Sequence, residues 1–290
     1  MPPTVTSRRD ALQPTALVLG SAASVQFGAA LATSLFDEAG VGGAVFLRVL
    51  FAAVVLALVW HPRVRGHARR DFLLAGAFGL SLAGMNFAFY GALDRIPLGI
   101  AVTIEFVGPL GVAVVASRRM LDLVWIALAA AGILLLSDFG SGDLDGAGIA
   151  LALLAGGFWA AYIPLAASVG RVFPGGGGLA LALVAASVLL APVGVADGGS
   201  DLLVPWIIAV GAAVAMLSSA IPYSLELEAL RRLPAGAFGV LMSLEPALAA
   251  LAGYVALGQG LATREAVAIG LVVAACAGAA RGTEIAPRDV

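Results

Sequence analysis

The sequence predicts an all-α integral membrane protein with ten transmembrane helices, folded as two inverted-topology five-helix repeats. Three observations carry that prediction. Hydrophobic residues make up 61% of the chain and charged residues only 12%, with a mean hydropathy of +1.03, whereas a soluble domain carries about 25% charged residues. Apolar runs of about 18 residues or more recur along the whole length, the pattern of membrane spans rather than of one buried core. Two stretches 137 residues apart also align on each other without a gap.

Breaks in hydrophobicity delimit the spans at 16–36, 41–60, 72–92, 98–117, 122–138, 146–169, 179–196, 204–229, 236–257 and 265–281. The first follows Arg8 and Arg9 but is too long for the apolar stretch of a signal peptide, so it is read as retained. Several others reach only about 17–20 residues, close to the minimum for a hydrocarbon core about 30 Å thick. Arginine placement orients them. With a cytoplasmic N terminus the inward loops and tails hold Arg8, Arg9, Arg63, Arg65, Arg69, Arg70, Arg118, Arg119, Arg171, Arg231, Arg232, Arg281 and Arg288. The outward loops hold Arg95 and Arg264 but also Asp37, Glu38, Asp138, Asp143, Asp145, Asp197 and Asp201. Positive charge gathered on one side places both termini in the cytoplasm.

The internal repeat pairs "GALDRIPLGIAVTIEFVGP" (91–109) with "EALRRLPAGAFGVLMSLEP" (228–246), matching Arg95 to Arg232, Pro97 to Pro234 and Pro109 to Pro246. Each half, 16–138 and 146–281, has five spans. Five is odd, so the second copy enters the membrane upside down. Inverted repeats are a transporter architecture, with the binding site near mid-membrane at their interface.

Acids and prolines sharpen the prediction. A charge at a span centre costs about 2.5–3.5 kcal/mol on insertion scales, so it marks function by default. Counting from the span starts at about 1.5 Å per residue, Glu105 lies about 10 Å deep from outside and Glu245 about 14 Å deep from inside. Pro109 frees the carbonyl of Glu105 and Pro246 that of Met242, because a proline removes the donor for residue i−4. Backbone left open at that depth is tolerated only inside protein or beside a watery cavity. The bland alternative is two protonated glutamates bonded to neighbouring helices, with the prolines merely kinking. The functional one is a pair of acids that bind a cationic group or carry a coupling proton.

Further candidates have two readings each. Tyr223 and Glu226 share a face of span eight, where Pro222 is expected to free Ser218; Glu226 either joins the site or meets interfacial arginines. Glu228 stands four before Arg232, an ordinary helical ion pair. Asn86 and Tyr90 either line a cavity or bond neighbouring helices. Trp159 and Tyr162 form an aromatic wall or pack on lipid. Arg48 snorkels outward or makes an internal ion pair, the latter preferred. Gln26 and Ser24 sit on a Gly/Ala-rich helix where close helix packing is the default.

Enzyme chemistry finds no footing. The chain has no Lys for a phosphate loop, one cysteine (Cys276), and two histidines (His61 and His67) in a basic loop. No cofactor, metal or nucleic acid is expected. "PGGGG" (174–178) reads as a flexible linker.

The segments "PLGIAVTIEFVGPLGVAVVASRRMLDLVW", "SSAIPYSLELEALRRLP" and "FGVLMSLEPALAALAGYVALGQGL" resemble the EamA family of the drug/metabolite transporter superfamily, most closely its bacterial threonine and homoserine exporters. The resemblance covers nearly the whole chain. It implies two five-helix inverted repeats around a central cavity and proton-driven export from the cell. The positions it carries over are Gln26, Arg48, Asn86, Tyr90, Glu105, Trp159, Tyr223, Glu226 and Glu245. Thr33 stands where some relatives have Lys, and Gln259 replaces a glutamate common at the end of span nine, so charge-dependent roles are not expected at either.

The expectation is therefore an inner-membrane exporter of small amino acids, working as a monomer by proton antiport. Glu105 and Glu245 would alternate between substrate ammonium and proton, with hinges at Pro109, Pro222 and Pro246. The rival readings are a same-fold exporter of a purine, drug or aromatic amino acid, then a membrane enzyme or a scaffold.

Overall fold

The computed structural model describes residues 8–62, 65–93, 95–96, 98–117, 119–136, 145–245, 248 and 263–284. These are helical, with no strand among them. The helices are α1 Arg8–Ala32, α2 Phe36–Trp60, α3 Arg69–Leu93, α4 Leu98–Glu105, α5 Val107–Ala116, α6 Met120–Leu136, α7 Gly146–Val172, α8 Gly177–Gly198, α9 Pro205–Ala215, α10 Ile221–Leu230, α11 Ala235–Met242 and α12 Thr263–Glu284.

Among the described residues five stretches are long and apolar enough to cross a membrane: Glu38–Trp60, Arg69–Ala92, Gly146–Val172, Gly177–Leu203 and Pro205–Leu230. The chain is a multi-pass membrane protein. Its outer surface agrees, since Leu58, Leu73, Phe87, Val115 and Val188 are all exposed, Val115 by 86%. Apolar exposure on that scale suits lipid and not water.

Predicted spans four and eight are each interrupted beside a proline. Predicted span four breaks at Phe106 between α4 and α5, because Pro109 has no N–H to offer the Glu105 carbonyl; the chain continues through Phe106 N–H to Val102 O (3.1 Å) and Leu110 N–H to Phe106 O (3.2 Å). Predicted span eight contains a π-helical turn, Met216–Ala220, between α9 and α10. There Ile221 N–H reaches back to the Met216 carbonyl, five residues away. Such wide turns are frequent at functional sites. The register also moves the acceptor orphaned by Pro222 from Ser218, as expected from α-helical counting, to Leu217. Ser24 Oγ on α1 donates to that carbonyl at 2.5 Å.

In lipid the helices gain nothing from hiding apolar surface from one another, so association rests on close packing. The residues at the contacts are accordingly small: Ala52, Ala88, Ala155, Ala180, Ala182, Ala186 and Ala215 are fully buried. One close approach is that of α5 to α7, where a Cβ on Gly108 would run into the Gly156 carbonyl oxygen. Only glycine fits there. Across the two halves α2 packs on α8, α3 on α7, α1 on α10 and the π-helical turn, α5 on α11, and α6 on α12. Larger side chains, among them Phe78, Phe106, Tyr162, Ile163 and Phe238, fill the middle.

Candidate functional site

Arg48 on α2 points inward. Asn86 and Tyr90, one turn apart on α3, receive it: Nη2 donates to Asn86 Oδ1, and Nη1 lies 3.4 Å from Tyr90 Oη. The guanidinium carbon is also 5.9 Å from the Tyr90 ring centroid, within cation–π range. Asn86 is itself fixed, since its Nδ2 donates to the Leu82 carbonyl at 2.7 Å. The internal ion pair expected for Arg48 is absent among the described residues; its partners are neutral acceptors. Its Nε is buried and has no partner.

Glu226 on α10 is 4% exposed and accepts from two hydroxyls, Ser21 Oγ of α1 and Tyr162 Oη of α7, each at 2.6 Å. Three helices are thereby tied to one carboxyl. The interfacial arginines take Glu228 instead: Arg231 Nη1 lies 3.0 Å and Arg232 Nη2 2.5 Å from it. Tyr223, one turn before Glu226, links the two groups. Its ring is 5.9 Å from that of Tyr162, and its hydroxyl faces Arg48 and Asn86.

Glu105 ends α4 and is 7% exposed. It interacts electrostatically with Glu245 and with Arg48. Glu245 is half-buried just beyond α11 and faces Glu226 in turn. Beside Glu105, Phe106 meets Trp159 edge to face at 5.0 Å. Trp159 and Tyr162 are both buried, so they pack inside the protein and not on lipid. One cation and three acids, from α2, α4, α10 and the segment after α11, thus face a common interior with Ser21, Tyr90, Phe106, Trp159, Tyr162 and Tyr223 around them. That set can hold a charged solute or pass protons. Among the described residues no three His, Cys, Asp or Glu side chains gather as a metal site.

The profile of the EamA-like transporter family matches residues 146–281. The threonine/homoserine exporter RhtA of Escherichia coli (strain K12) is 41% identical over 267 residues, spanning 91% of this chain and 90% of that protein. The exporter of the same name from Salmonella typhimurium (strain LT2) is 41% identical over 268 residues, with the same coverage. The chain belongs to the EamA-like transporter family. A solved crystal structure has the same fold, with a TM-score of 0.72 at 20% identity over 96% of this chain and 98% of that one. The chain is thus a membrane transporter and not an enzyme.

In this EamA transporter a cavity of about 670 Å³ lies between α2, α3 and α8, lined in part by Val45, Asn86, Tyr90, Leu190, Val193 and Asp197. It reaches the two side chains that hold Arg48 but none of the three acids. Of the expected hinges, Pro109 is buried at the α4–α5 break and Pro222 begins α10 after the π-helical turn. Pro246 and the Gln26 side chain lie outside the described residues.

Three features escaped sequence reasoning. Ser21 has no role in the sequence reading; its spacing of three from Ser24, on one helix face, is the available signal. Asp197 accepts from Gly42 N–H at 2.6 Å, where α2 kinks at Gly40 (φ 68°), which no local pattern reveals. The "PGGGG" segment is not a flexible linker. The Trp60 ring fills the space a side chain would need at Gly175 and Gly176. Arg231 then donates to the carbonyls of Gly170 (3.0 Å), Phe173 (3.2 Å) and Gly175 (2.5 Å).

Proposed function

We propose that the protein exports small amino acids, threonine and homoserine first among them, from the bacterial cytoplasm in exchange for protons. The observation that carries the reading is the convergence of Glu105, Glu245 and Glu226 with Arg48 in one buried interior, in a chain whose relatives bear the name threonine/homoserine exporter. Glu105 and Glu245 take the substrate ammonium and the proton in turn, because a bound cation favours the ionised carboxyl and so competes with its proton. Tyr90, Trp159, Tyr162 and Tyr223 shape the chamber.

The ten helices form two inverted repeats, 16–138 and 146–281, in an inner membrane with both termini inside, and one copy is the working unit. The packing pattern supports this. Counting α4–α5 and α9–α10 as single spans, exchange of the halves maps the α2–α8, α5–α11 and α6–α12 contacts onto themselves. It also maps α3–α7 onto the contact of α1 with α10. The repeats rock against each other around the acids, bending at Pro109, Pro222 and Pro246, which alternates access between the two sides.

The test is efflux of labelled homoserine from cells producing the Glu105→Gln or Glu245→Gln protein. Both variants are expected to lose proton-coupled export while still reaching the membrane. Undiminished, still proton-coupled export in both contradicts the reading.

A further inference from the structure

Arg48 is an anomaly that the mechanism above does not use. A charge buried in a protein is normally paired with an opposite one, and each buried polar atom left unsatisfied calls for an explanation. The guanidinium sits inside the helix bundle against neutral groups, Asn86 Oδ1, Tyr90 Oη and the Tyr223 hydroxyl, and among the described residues it makes no ion pair with a carboxylate. Its Nε–H has no acceptor at all. The arrangement is firmly held, because Asn86 is anchored to the Leu82 carbonyl and Tyr90 packs edge to face on Phe36 and Phe89. A planar fork with an unused donor matches a carboxylate better than any other common anion except phosphate.

Two further observations narrow the ligand. Asn86 and Tyr90, though not Arg48 itself, line the cavity between α2, α3 and α8, so the cradle borders a space large enough for a small solute. Glu105 acts on Arg48 electrostatically across the interior. A cation and an acid facing one another suit a zwitterion. A simple anion such as phosphate would meet the acid's repulsion.

We infer that Arg48 is the carboxylate-binding residue of the transporter, held in a neutral cradle by Asn86 and Tyr90 until the α-carboxylate of an amino acid completes its pairing. Glu105 takes the ammonium of the same molecule, so recognition reads the two charged groups common to α-amino acids. This rests on the export of amino acids proposed above. It adds a specific demand: the carboxylate of the cargo must be present. Fixing it to a rigid helix pair, while the ammonium sits beside the α4–α5 break, also lets movement of that break pull on one end of the cargo.

The experiment is binding of labelled L-threonine to the purified protein in detergent, in competition with L-threonine itself and with L-threoninol, which keeps the ammonium and hydroxyl but lacks the carboxylate. With the unaltered protein, L-threoninol is expected to compete roughly tenfold or more weakly, the scale of a lost hydrogen bond to a charged group. In Arg48→Gln, direct binding of the two compounds is expected to become equal, with threonine weakened by the same factor and threoninol unchanged. Equal competition by the two compounds at the unaltered protein overturns the inference without any variant, so misfolding of Arg48→Gln cannot shield it. So does a preference for threonine that survives in Arg48→Gln. If the unaltered protein binds neither compound, the amino-acid reading itself fails and this inference with it. The first two results leave that reading intact.

Discussion

Removing one hydroxyl tests whether Glu226 is a structural knot. Tyr162→Phe deletes the 2.6 Å bond to Glu226 Oε2 and leaves the ring in place, still packed on Phe78 at 5.2 Å and on Tyr223 at 5.9 Å. An interhelical hydrogen bond in a membrane protein is worth only about 0.6 kcal/mol on average, because the freed groups find other partners. At Glu226 that escape is closed. The carboxyl is 4% exposed, and its other oxygen is already taken by Ser21. An acceptor buried and unsatisfied costs about 1–3 kcal/mol, so the loss should fall in that range and above the membrane average. The assay is equilibrium unfolding in mixed micelles of rising denaturing-detergent content, on Tyr162→Phe, Ser21→Ala and the double variant. Both hydroxyls serve one carboxyl, so the two losses should be non-additive by about 0.5 kcal/mol or more. A loss below about 0.5 kcal/mol in Tyr162→Phe, with strict additivity, refutes the reasoning.

Three other predictions concern the backbone crossings and the Gly-rich turn. Gly108→Ala drives a methyl group into the Gly156 carbonyl and should cost about 1–3 kcal/mol, read as a lower yield of monodisperse protein; Gly111→Ala, which meets open space, is the control. Arg231→Ala releases the carbonyls of Gly170, Phe173 and Gly175, so a cysteine placed at Phe173 should react with a water-soluble maleimide at least severalfold faster than in the parent. Ser24→Ala leaves the Leu217 carbonyl of the π-helical turn without its donor and should destabilise by about 1 kcal/mol, measured in the same micelle titration.

Much of the architecture was readable because lipid imposes a simple rule. Long apolar runs must be helices, and α2, α3, α7 and α8 fall close to the limits drawn from hydrophobicity alone. Proline positions foretold where helices would break. They did not foretell how, since the π-helical turn depends on tertiary contacts with α1 and shifts the open carbonyl by one residue. Glu105 stands out as a buried charge in an apolar run, a signal strong in a single residue, whereas the sequence leaves Glu226 open between the site and the interfacial arginines. Arg48 stands out as Glu105 does, but its partners do not: Asn86 and Tyr90 come from another helix, and spacing within one segment carries no information about that. The Gly-rich turn misled for a related reason. Glycine there serves the Trp60 ring and the reach of Arg231, contacts made across more than 50 residues of chain.

The most direct measurement of the central claim uses purified protein in sealed liposomes, with a pH difference imposed across the bilayer and labelled threonine on the acidic-to-neutral path of exchange. The account predicts that the unaltered protein accumulates threonine against its gradient until the pH difference is collapsed, and that Glu105→Gln moves none uphill. Accumulation that ignores the pH difference, or that proceeds equally in Glu105→Gln, contradicts it.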